Sequence, residues 1–259
     1  MSLSSQQRED IAELLRKQIR RKLAEYNPET NNMPFHTRLL GKDRMALFSF
    51  IHSINTTLGT SVFEQIAEIV ARPNFRCAKY QYKEFSNTIS VDAQRIIQEI
   101  MDDLTTANRD VDKLAETAAI IAVSQSGGFR QVERPTIDLF LESYEGVEYY
   151  FDIKTAKPNK GNFVGLKRNM LEWVAIRGAM DKRVKIRTIV AIPYNPYAPK
   201  PYERWTLRGL FDLQNNELLV AEEFWNFLGG DNAYEELLEV FEQVGITLRP
   251  EIDARFAQF

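Results

Sequence analysis

The alternation of apolar and polar positions divides the chain near residue 127. Upstream of it, apolar residues recur at helical spacing. Ile11, Leu14, Leu15, Ile19 and Leu23 share one face of a helix expected from Ser4 to about Tyr26. Its other face carries Arg16, Lys17, Arg20, Arg21 and Lys22, and Asn27-Pro28 ends it. The same spacing predicts helices from Asp43 to about Leu58, stopping before Gly59, and from Ser61 to the residue before Pro73. Two more follow over Val91–Thr106 and Val111–Val123, with a mixed, partly extended stretch at 74–90. Ser124-Gln-Ser-Gly-Gly128 breaks this pattern, and the period then becomes two. Pro135 to Ser143 and Val147 to Thr155 read as the arms of a hairpin around Tyr144-Glu145-Gly146, whose final glycine suits a loop residue of positive φ. Phe163–Met180 is an amphipathic helix and the β-branched run Val184–Ile192 a strand. Helical segments are expected around Leu218–Leu228 and Tyr234–Val244. Strand, strand, helix, strand predicts an α/β (α+β) fold: a mixed sheet flanked by helices. A mainly helical region 1–126 precedes the α/β core 127–259.

The hairpin concentrates the chemistry. If Ser143 faces Val147, Asp138 faces Asp152 and Glu142 faces Glu148. Like charges in facing positions destabilise a sheet. At about 5 Å and an effective dielectric of about 20, the repulsion is roughly 3 kcal/mol. A divalent metal held by carboxylate oxygens offsets it. Side chains alternate along a strand, so Lys154 shares a face with Asp152 while Ile153 points away. Metal, carboxylates and an ammonium on one face suit phosphodiester hydrolysis. Glu142 and Glu148 are expected to be solvated.

Charge distribution supports an anionic partner more than the total does. The net charge is −3, yet residues 127–187 hold twelve Lys/Arg against eight Asp/Glu. Residues 212–253 hold one Arg against eleven acids, so the acidic excess sits in the C-terminal tail. A basic surface around an acidic metal site is what a phosphate-cleaving protein needs. The lone Cys77 permits no intrachain disulfide, and His36 and His52 belong to no zinc-ligand cluster. No apolar run is long enough to span a bilayer, and the N-terminal residues lack the apolar core of a signal peptide. A cytoplasmic protein is expected.

Asp138…Asp152-Ile153-Lys154 resembles the PD-(D/E)XK nuclease signature. More narrowly, Phe35-His-Thr-Arg-Leu-Leu-Gly41, Gly59-Thr-Ser-Val-Phe-Glu64, Phe151-Asp-Ile-Lys-Thr-Ala-Lys-Pro-Asn159 and Met170-Leu-Glu-Trp173 resemble the TdeIII-like type II restriction endonucleases. The signature's proline, Pro135, lies three residues before Asp138 instead of beside it. The resemblance implies Mg²⁺-dependent cleavage of both strands of duplex DNA at a short palindrome, GGNCC-like. It implies metal ligation by Asp138, Asp152 and the backbone carbonyl of Ile153. Lys154 would then orient or deprotonate the attacking water and steady the transition state. Glu64 is a candidate fourth catalytic acid, although Ser61-Val-Phe-Glu64 also fits a capping box. Cutting both strands of a palindrome calls for a homodimer.

Candidate DNA contacts flank the hairpin. Lys157, Asn159, Lys160, Lys167 and Arg168 run from the catalytic strand into the next helix and suit phosphate binding. Gln125, Arg130, Gln131 and Arg134 precede the hairpin and are base-reading candidates. Two other readings share parts of this pattern: a repair or recombination nuclease with the same metal site, and a non-enzymatic DNA-binding protein.

Overall fold

A computed structural model describes residues 3–25, 33–84, 86–155, 160–202 and 209–257, apart from the side chains of Thr60 and Lys160. Its elements are α1 (Ser5–Glu25), α2 (Pro34–Leu40), α3 (Lys42–Thr57), a π-turn (Leu58–Val62), α4 (Phe63–Ala71), β1 (Cys77–Tyr82) and β2 (Thr88–Ser90). There follow α5 (Val91–Thr105), α6 (Lys113–Val123), β3 (Phe129–Gln131), β4 (Ile137–Glu142), β5 (Val147–Ile153) and α7 (Lys160–Met180). The chain continues through β6 (Lys185–Ile192), β7 (Leu218–Val220), α8 (Glu222–Gly229) and α9 (Ala233–Phe256).

Five strands form a mixed sheet in the order β1-β4-β5-β6-β7. β1, β4 and β5 pair antiparallel; β5, β6 and β7 pair parallel, with α7 as the crossover between β5 and β6. Alternation along the strands feeds two cores. Leu139, Leu141, Phe151, Ile153, Ile189 and Ala191 meet α1, α4, α8 and α9 on one face. Phe140, Tyr150, Val190 and Ile192 meet α5 and α7 on the other. The helical N-terminal region therefore shares a sheet and a core with the α/β region: β1 is the sheet's edge and α4 lies under it. A separate two-strand ladder, β2 with β3, braces the start of α5, where Ser90 caps by accepting from the Ala93 amide.

Three expectations are corrected. The helix from Asp43 does not stop at Gly59. α3 runs through the π-turn into α4, because Gly59 is needed for close approach and not as a terminator: a Cβ there would lie 2.4 Å from Thr155 Cγ2. Ser61 is thus interior to a helical run, and the capping box does not form. Leu218–Val220 is a strand, not helix, since Val190, Ala191 and Ile192 offer it a ladder. The C-terminal helix extends past Val244 to Phe256, tied to α1 by Arg20 and Glu251 at 2.8 Å.

Candidate active site

The hairpin closes as its turn chemistry requires. Ser143 donates its amide to the Val147 carbonyl at 2.9 Å, and Gly146 takes a φ of +74°. Leu139 faces Phe151 and Glu142 faces Glu148, a register that sets Asp138 opposite Asp152. The hairpin's open end is where the acids sit. Asp138 Oδ2 accepts from the Ile153 amide at 2.8 Å, and Lys154 Nζ reaches the same oxygen at 3.5 Å while pairing closely with Asp152. Lys154 is itself anchored to β6, its amide donating to the Ala191 carbonyl at 2.9 Å.

The electrostatics follow from burial. Asp152 is buried, which pushes its carboxyl up to about 6; Lys154 opposes this rise and Asp138 adds to it. Burial disfavours the Lys154 ammonium, yet Asp152 and Asp138 hold its pKa above the ordinary value. The ammonium occupies the place between two carboxylates where positive charge is required.

The π-turn brings a third acid to the same end of the sheet. Asn55, Thr56, Gly59 and Glu64 from α3–α4 line a cavity of about 480 Å³ with Gln81, Asp138, Ile153, Lys154 and Thr155. π-turns inside helices recur at functional sites. Glu64 is buried, which raises its carboxyl to about 7, while the amide of Gln81, donating to it, pulls the other way. Gln81 escaped the sequence reading. It stands opposite Asp138 in the β1–β4 register and has a φ of +48°, a left-handed conformation strained for a non-glycine residue. No glycine or asparagine marks the position, so only the acids around it hint at a role.

These groups fit a hard divalent cation. Asp152 Oδ1 is buried against the Lys154 ammonium, so this carboxylate already meets positive charge, and carboxylate oxygens suit Mg²⁺. Among the described residues, no three Asp, Glu, His or Cys side chains form a ready metal cluster. A backbone oxygen and water must therefore complete any ligand set.

The DNA candidates are dispersed. Lys157 and Asn159 lie outside the described residues, and Lys160 opens α7. Arg130, Gln131 and Arg134 are exposed, the first two on β3. Arg130 and Arg168 act together on Glu172, whose carboxyl burial raises and these arginines lower. Arg168 also donates to Gln98 at 3.0 Å. Gln125 is engaged at the far end of α7, its amide donating to the Gly178 and Ala179 carbonyls. Those bonds satisfy a helix C-terminus, while the side chain stays exposed. The reading of Lys167 is corrected. It is fully buried, paired with Glu116 at 2.7 Å and Glu217 at 2.8 Å, and has no path to a phosphate. Glu142 and Glu148 are not free solvated acids: Arg76 pairs with the first at 3.0 Å and Arg177 with the second at 2.8 Å.

Comparison with known proteins identifies relatives of the whole chain. The chain is 25% identical to the type II restriction enzyme HgiCII of Herpetosiphon aurantiacus, over 89% of this chain and 84% of that one. It is 26% identical to HgiEI of the same organism, over 87% of this chain and 81% of that enzyme. To the type II restriction enzyme MjaII of Methanocaldococcus jannaschii it is 27% identical, over 87% of this chain and 65% of the relative. The family model of the type II restriction endonuclease HinfI matches residues 3–245. The chain belongs to the HinfI family of type II restriction endonucleases.

Proposed function

We propose that this enzyme cleaves both strands of duplex DNA at a short GGNCC-like palindrome, as a Mg²⁺-dependent homodimer in the cytoplasm. The observation that carries the reading is the β4–β5 register, which sets Asp138 and Asp152 on either side of the Lys154 ammonium. Asp138, Asp152 and the Ile153 carbonyl would hold the ion. A bound Mg²⁺ supplies charge neutralisation at the scissile phosphate and a lower pKa for attacking water. The chain's own groups do the rest. Asp138 keeps the open end of the hairpin in register by accepting from the Ile153 amide. Lys154 carries a proton and a positive charge at the cavity wall, available to orient the nucleophile and to offset charge gathering on phosphate oxygens. Glu64, near neutral pH in its titration, is placed to hold a water from the opposite wall. Arg130, Gln131, Arg134 and Arg168, with Lys157, Asn159 and Lys160 after β5, are the proposed DNA contacts. The palindrome rests on the TdeIII-like motifs.

Digestion of a sequenced plasmid with Mg²⁺, followed by sequencing of the fragment ends, tests this. Discrete ends within one palindrome are expected. Ends scattered without a common sequence contradict it.

A further inference from the structure

The feature left unused by the cleavage site is the outer face of α2 and α3. α2 buries none of its residues. Phe35 is 84% exposed and Leu39, one turn on, 82%. Leu40, Leu47, Phe48 and Ile51 continue the face along α2 and α3, each more than two-fifths exposed. Together these six side chains leave roughly 600 Å² of apolar surface in water, the upper end for a monomer's largest patch. Ile51 also borders an apolar groove of about 310 Å³ between α1, α3 and α9, lined by Phe50, Ile54, Phe241 and Val244 among others.

We propose that this face is where a second copy of the chain docks, around a two-fold axis that runs beside α3. The proposal rests on the reading of the protein as a double-strand cutter. That reading needs two Asp138–Asp152–Lys154 sites, and each chain carries one. A stable interface buries roughly 800 Å² per partner; the patch and the adjoining groove together approach that area. Duplex DNA presents phosphates, so an aliphatic and aromatic face gains nothing against it. A two-fold contact opposes the face to itself, and apolar patches are self-complementary in that arrangement. Position favours the same partner. Ile51 lies one helical turn, about 6 Å, before Asn55, which lines the cleavage cavity. Docking through α3 therefore brings the two cavities close to the axis, as cutting paired strands requires.

The test is the solution mass of full-length wild type and of Phe35→Glu/Leu39→Lys, by light scattering alone and with a duplex, alongside plasmid cleavage. Both substituted positions are solvent-facing, so thermal unfolding of the variant should match wild type. Expected are a dimeric wild type and a monomeric variant, with dimer affinity lowered at least about a hundredfold, which nicks plasmid instead of linearising it. A variant that stays dimeric overturns the surface and leaves the homodimer reading intact. A dimeric variant that instead loses duplex binding assigns the face to DNA and overturns the proposal. A wild type monomeric both alone and on DNA overturns the homodimer reading itself.

Discussion

At the scale of single residues, the site is a balance between buried acids and one ammonium. Asp152 holds its proton up to about pH 6, above the ordinary carboxylate range near 4. A carboxyl raised in this way means that folding favours its protonated form. That contribution is complete below about pH 4 and is lost as the pH rises through about 6. Asp152→Asn fixes the neutral form, so it is more stable than wild type at about pH 8, by about 1–3 kcal/mol. Thermal unfolding of the metal-free proteins from about pH 5 to about pH 8 checks this: the gap should narrow toward the acid side, and a gap independent of pH contradicts it. Gln81 gives a second check. Its amide lowers the Glu64 carboxyl against the larger effect of burial. In Gln81→Ala the Glu64 midpoint moves above about 7; carbon NMR titration of the carboxyl measures it, and an unchanged midpoint removes Gln81 from the site. Asp138, Asp152 and Lys154 could be read from the chain because strand alternation and one glycine fix a hairpin register. Gln81 could not, because left-handed backbone at a glutamine has no local signature.

At the scale of elements, the longest misreadings share one cause: tertiary contact overrode local pattern. Gly59 looks like a helix stop, yet it lets the π-turn pass against Thr155. Lys167 follows a lysine-rich loop and falls on what looks like a solvated face of α7. Its partners, Glu116 on α6 and Glu217 before β7, lie far away in sequence and reach it only in the fold. Lys113 joins the same cluster through Glu217 at 3.1 Å. Removing one partner from a buried pair leaves an uncompensated charge, so Lys167→Ala should cost about 3–5 kcal/mol of stability. Urea unfolding measures that loss. Duplex affinity of the folded variant, measured in the cold, should stay at the wild-type value; weaker binding at full stability would return Lys167 to the DNA surface.

At the scale of the whole molecule, the hairpin of β4 and β5, the crossover helix α7 and the strand β6 were legible from period and turn residues, whereas β7 reads as helix and β1 only as part of a mixed stretch. The joining of the two regions was not legible. β1 comes from the N-terminal region and pairs with β4, and α4 beneath it delivers Glu64 to acids carried by the other region. Such pairing depends on contacts between segments some sixty residues apart, which periodicity does not encode. What the assembled fold produces is a cavity lined by Glu64, Asp138 and Lys154, with Asp152 buried against the same ammonium. The most direct test compares wild type and Asp152→Ala on the same plasmid with Mg²⁺, with duplex binding measured on both preparations. The account predicts discrete fragments from wild type, cleavage reduced at least about a thousandfold in the variant, and equal binding by both. Equal cutting by Asp152→Ala contradicts it.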